Sequence, residues 1–462
     1  MMIQSRVKPI ESQHGITVRN LEPGHVIRSI WKDSGRSNDA TRKVTASVVA
    51  SNGLRRVRRT SVSGRNIMNG NKAMWVAVIV AIAIVAILFY GEMTGVVAVA
   101  DKISAGADVN EQLQFGKDLD IWFMLMLVAF LMIFIRKFEW GICLAVLLSA
   151  VSSFVVYLAI QDFYFDYGVW DQSLLINGVI CAITLVIAIG VFAGTCKMWQ
   201  YLFIGVGFGI VYSLIQWLLM NVQIFGEYAT DPGGSILVHM CAAYFGIGVA
   251  LGIRDKRAFD EPMYTTTHSV TFVWLASMLL WMLWPSFVTS LLPPDQVTWG
   301  TITCYMAGIG SIISTYFVCS AVQGKINCLI FTYAMLCGPV AIGAPLLSVG
   351  PWGALLIGLV AGAVSALCFI YLQPWFCSKI GVLDVMGVHN LHGIGGWIGA
   401  IIVSVLVGSI ASLGMAAIVV CVTLATGAVI GIIVRATRGE MESICDDDVD
   451  FIRTEKPVES RV

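Results

Sequence analysis

Twelve stretches of this chain approach the roughly 20 consecutive apolar residues that an α-helix needs to cross a bilayer. They fall at about 74–91, 121–135, 140–159, 174–194, 199–221, 234–253, 268–291, 299–321, 326–345, 351–376, 387–410 and 412–434. Runs of this length leave little choice of fold. In hydrocarbon every backbone N–H and C=O must be satisfied internally, and continuous apolar runs satisfy them as helices rather than as strands of a barrel. With 57% of its 462 residues hydrophobic and 13% charged, the chain is no soluble globular domain. It reads as an all-α polytopic membrane protein.

Charge orients the crossings. Residues 1–72 hold 14 Lys+Arg against 4 Asp+Glu, and a basic arm of that kind stays cytoplasmic under the positive-inside rule. From there the even-numbered connections carry Arg136, Lys137, Lys197, Arg254, Lys256, Arg257, Lys325, Lys379, Arg435 and Arg438. The odd-numbered ones, Glu92 to Asp120, Asp162 to Asp171, Glu227 to Asp231, and Asp295, read as acidic or neutral. Both termini are therefore expected on the cytoplasmic side, and the plasma membrane is the expected location. No apolar leader precedes residue 73, so the stretch over 73–91 is expected to anchor the chain without cleavage. The twelve cysteines are scattered and contain no Cys-x-x-Cys pair, which points to neither a disulfide framework nor a zinc site. The basic run RRVRRTSV (55–62) reads as a solvated segment near anionic lipid, with Thr60 or Ser61 as the alternative, phosphorylated reading.

An internal repeat carries the chemistry. DPGGSILVHMCAAYFG (231–246) aligns with DVMGVHNLHGIGGWIG (384–399), pairing Asp231 with Asp384, His239 with His392 and Gly246 with Gly399, each 153 residues apart. Five apolar segments fit within that interval, and an odd number of crossings reverses direction. The expected architecture is thus an inverted repeat of two five-helix halves, 121–253 and 268–410. An extra N-terminal helix (73–91) precedes them, and a last helix (412–434) and a tail (435–462) follow, twelve helices in total. Eight residues of helix place each histidine roughly 12 Å beyond its aspartate, so the two converge near the bilayer midplane. Ionisable groups at that depth are expensive unless neutral, paired or facing a cavity.

The simpler roles are weighed beside that one. Asp231, followed by Pro232, is a good helix N-cap with proline at the first helical position, and Asp384 can cap in the same way. Capping still anchors the helices that present the histidines. His389 lies three residues before His392 and shares its face in a regular helix, yet its repeat partner is Ile236, so it reads as a secondary or packing residue. His268 sits at a segment end and reads as snorkelling. The many glycines around the histidines read as close helix packing.

At these residues the sequence resembles the Rh branch of the ammonium transporter (Amt/Mep/Rh) superfamily. The likeness rests on GGSILVHMCAAYFG, on WMLWPSF (281–287) and on GVHNLHG (387–393), and spans about residues 121–434. It implies a homotrimer of eleven-helix units, with one further N-terminal helix in Rh proteins and a pore through each subunit. It implies no enzyme activity and no cofactor or metal. The family's twin pore histidines correspond to His239 and His392, its two aspartates to Asp231 and Asp384, and an entrance phenylalanine to Phe287. The second entrance phenylalanine falls on Ile180, and an outer acidic residue on Gln216. No Asn-x-Ser/Thr sequon is present.

The implied cargo is ammonia. A full charge in an apolar tube is costly, so ammonium would leave its proton at the vestibule and ammonia would pass the histidines. Burial disfavours the charged imidazole, and two neutral rings each offer one donor and one acceptor nitrogen. Carbon dioxide is the alternative cargo for the same architecture, and ammonium itself the charged one. A non-transporting membrane scaffold or sensor, and a haem-binding electron carrier, are the alternatives from other classes. Nothing points to nucleic acid; the lipid bilayer and further copies of the chain are the expected partners.

Overall fold

The computed structural model describes residues 109–135, 138–167, 170–255, 265–439 and 447–452, with seven isolated positions between 79 and 90. All of them belong to one unit, Ser61–Val462. The N-terminal arm, with Thr60 and Ser61, lies outside the described residues, as does most of the expected 73–91 crossing.

The elements are α1 (Val109–Leu131), α2 (Glu139–Phe163), α3 (Gln172–Phe192), α4 (Met198–Asn221), α5 (Ser235–Ile253), α6 (Thr267–Val288), α7 (Pro294–Gln323), the short α8 (Cys328–Ala334) and α9 (Cys337–Ile342), α10 (Pro351–Ile380), α11 (His389–Val407), α12 (Ala411–Arg438) and α13 (Asp447–Asp450). Among the described residues nine helices are long and apolar enough to cross a membrane. α1 and the α8–α9 pair occupy two further expected crossings.

Three departures from the expected spans have physical causes. The run 326–345 is not one helix. It breaks at Met335 and Leu336, and Pro339 then sits in the first turn of α9, where its missing N–H costs no helical bond. α10 runs on to Ile380 past Pro374 through a widened turn over Cys368–Leu372, which absorbs the bond the proline cannot make. α1 begins at Val109 rather than near 121, because its polar first half is held by neighbours: Gln114 Nε2 donates to Ser173 Oγ at 3.2 Å, and Ser286 Oγ donates to Asp120 at 2.6 Å.

Small residues let the helices that frame the site approach closely. α5 crosses α12 at Gly248 and Gly252 against Gly427 and Gly431, where an added Cβ would run into the opposite backbone. With no hydrophobic drive between helices in lipid, such close packing supplies much of the attraction. α1 packs on α3 and α6, α3 on α5, and α11 on α9, α12 and the start of α5. At the far end of α12, Arg438 pairs with Asp255 at 3.0 Å and donates to the Thr195 carbonyl at 2.8 Å. Beyond it, the Asp447 carboxylate accepts the backbone N–H groups of Glu139, Trp140 and Gly141 at 2.8–3.0 Å. This caps α2, whose own N-cap Phe138 has no side chain to do so.

Candidate functional site

The two aspartates of the repeat fix the starts of α5 and α11. Asp231 Oδ2 accepts from Ile236 N (2.9 Å) and Leu237 N (2.8 Å); the Asp384 oxygens accept from Val388 N and His389 N, both at 2.9 Å. Capping is therefore real, but its geometry differs from the expected one. Pro232 is not the first helical residue. It lies in a turn with Gly233, Gly234 (φ 82°) then redirects the chain, and α5 starts at Ser235. Both helices open with a widened turn, Ser235–Met240 and His389–Gly393, in which His239 N bonds back to the Gly234 carbonyl five residues earlier. Ser235 ties the first of these turns to α9, donating to the Val340 carbonyl (2.7 Å) and accepting from Ala344 N (2.8 Å).

These anchors bring His239 and His392 together. Their Nδ1 atoms are 3.0 Å apart and their rings nearly stacked, with centroids 5.1 Å apart at 26°. Both side chains are buried. The contact divides the chemistry of the pair: one Nδ1 must donate and the other accept. In neutral rings the accepting imidazole then carries its proton on Nε2, and the donating one leaves Nε2 bare. The pair so presents one N–H and one lone pair, and His239 Nε2 has no partner among the described residues.

Both rings line a narrow cavity of about 40 Å³ whose wall is otherwise largely apolar. Met124, Val128, Leu131, Ile183, Ile187, Leu280, Trp284, Phe287, Leu336 and Leu391 build it, together with Tyr333 and the Met386–Val388 segment. Tyr333 turns its hydroxyl away, onto the Leu131 carbonyl at 2.9 Å. The Met386 segment is held on the end of α3, where Val385 N and Met386 N donate to the Val191 and Gly190 carbonyls at 3.1 and 3.0 Å.

Of the other expected residues, Phe287 stands on the wall with its ring centroid 5.9 Å from that of His239. Trp284, in the same WMLWPSF run, is closer at 5.6 Å, and sequence reading did not single it out. Ile180 is buried on α3 but is not on the cavity wall, which Ile183 and Ile187 supply instead. His389 is also off that wall, stacked on Phe376 at 4.7 Å and 17°, because the widened turn at the start of α11 carries it away from His392. Gln216 is buried, accepting from the Tyr157 hydroxyl at 2.7 Å and donating to Asn177 at 2.8 Å. His268 is exposed at the start of α6 against Phe272. Among the described residues no three His, Cys, Asp or Glu side chains group closely enough to hold a metal ion.

Known proteins share this fold. A sequence profile of the Ammonium Transporter Family matches residues 107–439. The bovine (Bos taurus) ammonium transporter Rh type A is 29% identical over 314 residues, covering 64% of this chain and 72% of the relative. The bovine Rh type C protein is 33% identical over 248 residues, 52% of this chain and 53% of its own length. The chain thus spans about half of the latter. The solved structure of Nitrosomonas europaea Rh50, from the Rhesus protein family of channels, superposes with a TM-score of 0.70 at 30% identity, over 75% of this chain and 94% of that one. The helical fold, the profile match and these relatives agree, and the chain belongs to the ammonium transporter family, in the Rh branch of the Amt/Mep/Rh superfamily.

Proposed function

We propose that this protein conducts ammonia across a membrane through the cavity that His239 and His392 line in each subunit. The observation that carries the reading is the 3.0 Å contact between two buried imidazoles on an otherwise apolar wall. A cation entering such a cavity loses hydration that the wall does not replace, whereas ammonia finds in the histidine pair one donor and one acceptor. The relatives are named ammonium transporters, and the Rh50 channel shares both fold and 30% of its sequence. In this reading Phe287 and Trp284 narrow one approach, Asp231 and Asp384 hold the histidine-bearing helices in place, and ammonium releases its proton before entry. The working unit is a homotrimer with a pore in each subunit, in the plasma membrane with both termini cytoplasmic.

Stopped-flow recording of internal pH in proteoliposomes given an ammonium gradient tests this directly. Protein-containing vesicles should alkalinise faster than empty ones without a large steady current. Equal rates would overturn the proposal, and a robust ammonium current would replace it with charged transport. Native mass spectrometry of the detergent-extracted protein should show trimers.

A further inference from the structure

Two residues beyond Phe287, which lines the cavity, α6 is met by a lysine that sequence reading folded into an acidic connection. Lys117, half-buried on α1, places its ammonium 2.6 Å from the carbonyl of Thr289, the residue that ends α6. That carbonyl also accepts the Leu292 N–H. Three residues further along α1, Asp120 accepts the Ser286 hydroxyl at 2.6 Å. The two α1 side chains therefore clasp α6 on either side of Phe287, which lines the cavity. Lys117, Asp120 and Met124 follow one stripe of α1 at spacings of three and four. Met124 is itself on the cavity wall, so Lys117 stands about 10 Å along the axis from it.

The carbonyl end of a helix carries partial negative charge and attracts cations. A primary ammonium offers three N–H donors with the geometry a free ammonium ion would bring. Tethered by its own side chain, it is present at a far higher effective concentration than any free ion. Asp118 and Asp120 lie within three residues of Lys117 on α1, while every other described lysine or arginine sits at a helix end or in the turn beside it, as Lys197, Arg254 and Lys325 do. With Lys117 removed, this stretch of α1 would hold three carboxylates, Glu111, Asp118 and Asp120, and no cation, and the Thr289 carbonyl would keep only the Leu292 N–H.

We infer that Lys117 is a specificity-determining residue of the mouth: its ammonium occupies, on the Thr289 carbonyl beside Phe287, the position a small cation would take, and so keeps ammonium and alkali cations from accumulating over the cavity. The inference rests on the conduction reading above. It makes the approach at Phe287 favour the neutral species before the histidines are reached.

The test uses the full chain in proteoliposomes, with ammonium chloride as substrate and external potassium as competitor. Wild-type and Lys117→Arg protein should show the same half-saturating ammonium and indifference to potassium. Lys117→Met should lower the half-saturating concentration by about tenfold, through the local cation enrichment that an uncompensated acidic mouth produces, and should become inhibitable by potassium. Should Lys117→Met fail to assemble, Lys117→Gln carries the same comparison, since it keeps an N–H for the Thr289 carbonyl and loses the charge. A structural role alone would lower the melting temperature and leave the half-saturation unchanged. An assembled neutral variant with wild-type half-saturation and no potassium inhibition overturns the inference and leaves conduction standing. Wild-type vesicles no faster than empty ones overturn the conduction reading itself.

Discussion

Trp397 donates its indole N–H to the Tyr244 hydroxyl across 2.7 Å, and the two residues stand 153 positions apart, the same interval that separates His239 from His392. Corresponding residues that touch must straddle whatever axis relates the two copies. That axis therefore passes between the histidine rings and again between this tryptophan and tyrosine. Tyr244→Phe keeps the ring and loses the acceptor. It should cost about 0.5–1.5 kcal/mol of stability, read as a lower melting temperature in detergent, with ammonia conduction retained.

The two histidines of VHNLHG should separate cleanly. His392→Ala and His239→Ala each strip the cavity of one half of a 3.0 Å pair and leave the other ring unpaired. The orphaned ring should cost about 1–3 kcal/mol of stability, and ammonia-driven alkalinisation should slow markedly. His389→Ala removes a ring stacked on Phe376; its cost should fall on thermal stability, with conduction near wild type. Loss of flux in His389→Ala together with normal flux in His392→Ala would reverse the assignment.

Asp384 is expected to act through position. Its carboxylate holds the Val388 and His389 N–H groups, so Asp384→Ala orphans two buried donors at the turn that carries His392. A loss of about 1–3 kcal/mol should show as a lower melting temperature together with reduced conduction. Asp384→Asn keeps one acceptor oxygen and should be milder on both measures.

Gly248 and Gly427 face each other where α5 and α12 approach closely. Leucine at either position has no space between the two backbones and should force the helices apart. Size-exclusion profiles of the extracted variants should shift to aggregate, whereas Gly408→Ala, where nothing meets the added Cβ although φ is 69°, should remain monodisperse with only a modest fall in melting temperature.

What the sequence made legible follows from what survives as spacing. Asp231 to His239 and Asp384 to His392 share an interval of eight, and the duplication displays the pair even though each histidine alone reads as packing. The repeat set His389 aside, with Ile236 opposite it, but its direction was not legible from spacing, because three residues predict a shared face only at 3.6 residues per turn and the helix opens with a wider turn. The break at Met335 and Leu336 was hidden for a different reason: YAMLCGPVAIG is apolar throughout, and hydropathy does not register a change of direction inside hydrocarbon. Lys117 escaped notice because a charge count over 92–120 averages it with its acidic neighbours, while its role depends on a contact 172 residues away.

The tail cap on α2 is also open to test. Asp447→Ala removes the acceptor for three N–H groups and should lower stability by about 0.5–2 kcal/mol, the range of an N-cap loss. Asp447→Asn, which keeps one acceptor oxygen, should recover part of it. Hydrogen exchange at Glu139, Trp140 and Gly141 should rise in the alanine variant.

That same cap ties the start of the second described helix to a residue 308 positions later. A ribosome feeds the chain out from its N-terminus at about 5–20 residues per second, so α2 is in place for roughly 15–60 seconds before Asp447 is made. During that interval its first turn has only water or lipid headgroups to satisfy it. Truncation just before Asp447 would hold the protein in that immature condition permanently, and would mark for quality control a molecule whose described membrane helices had all been synthesised.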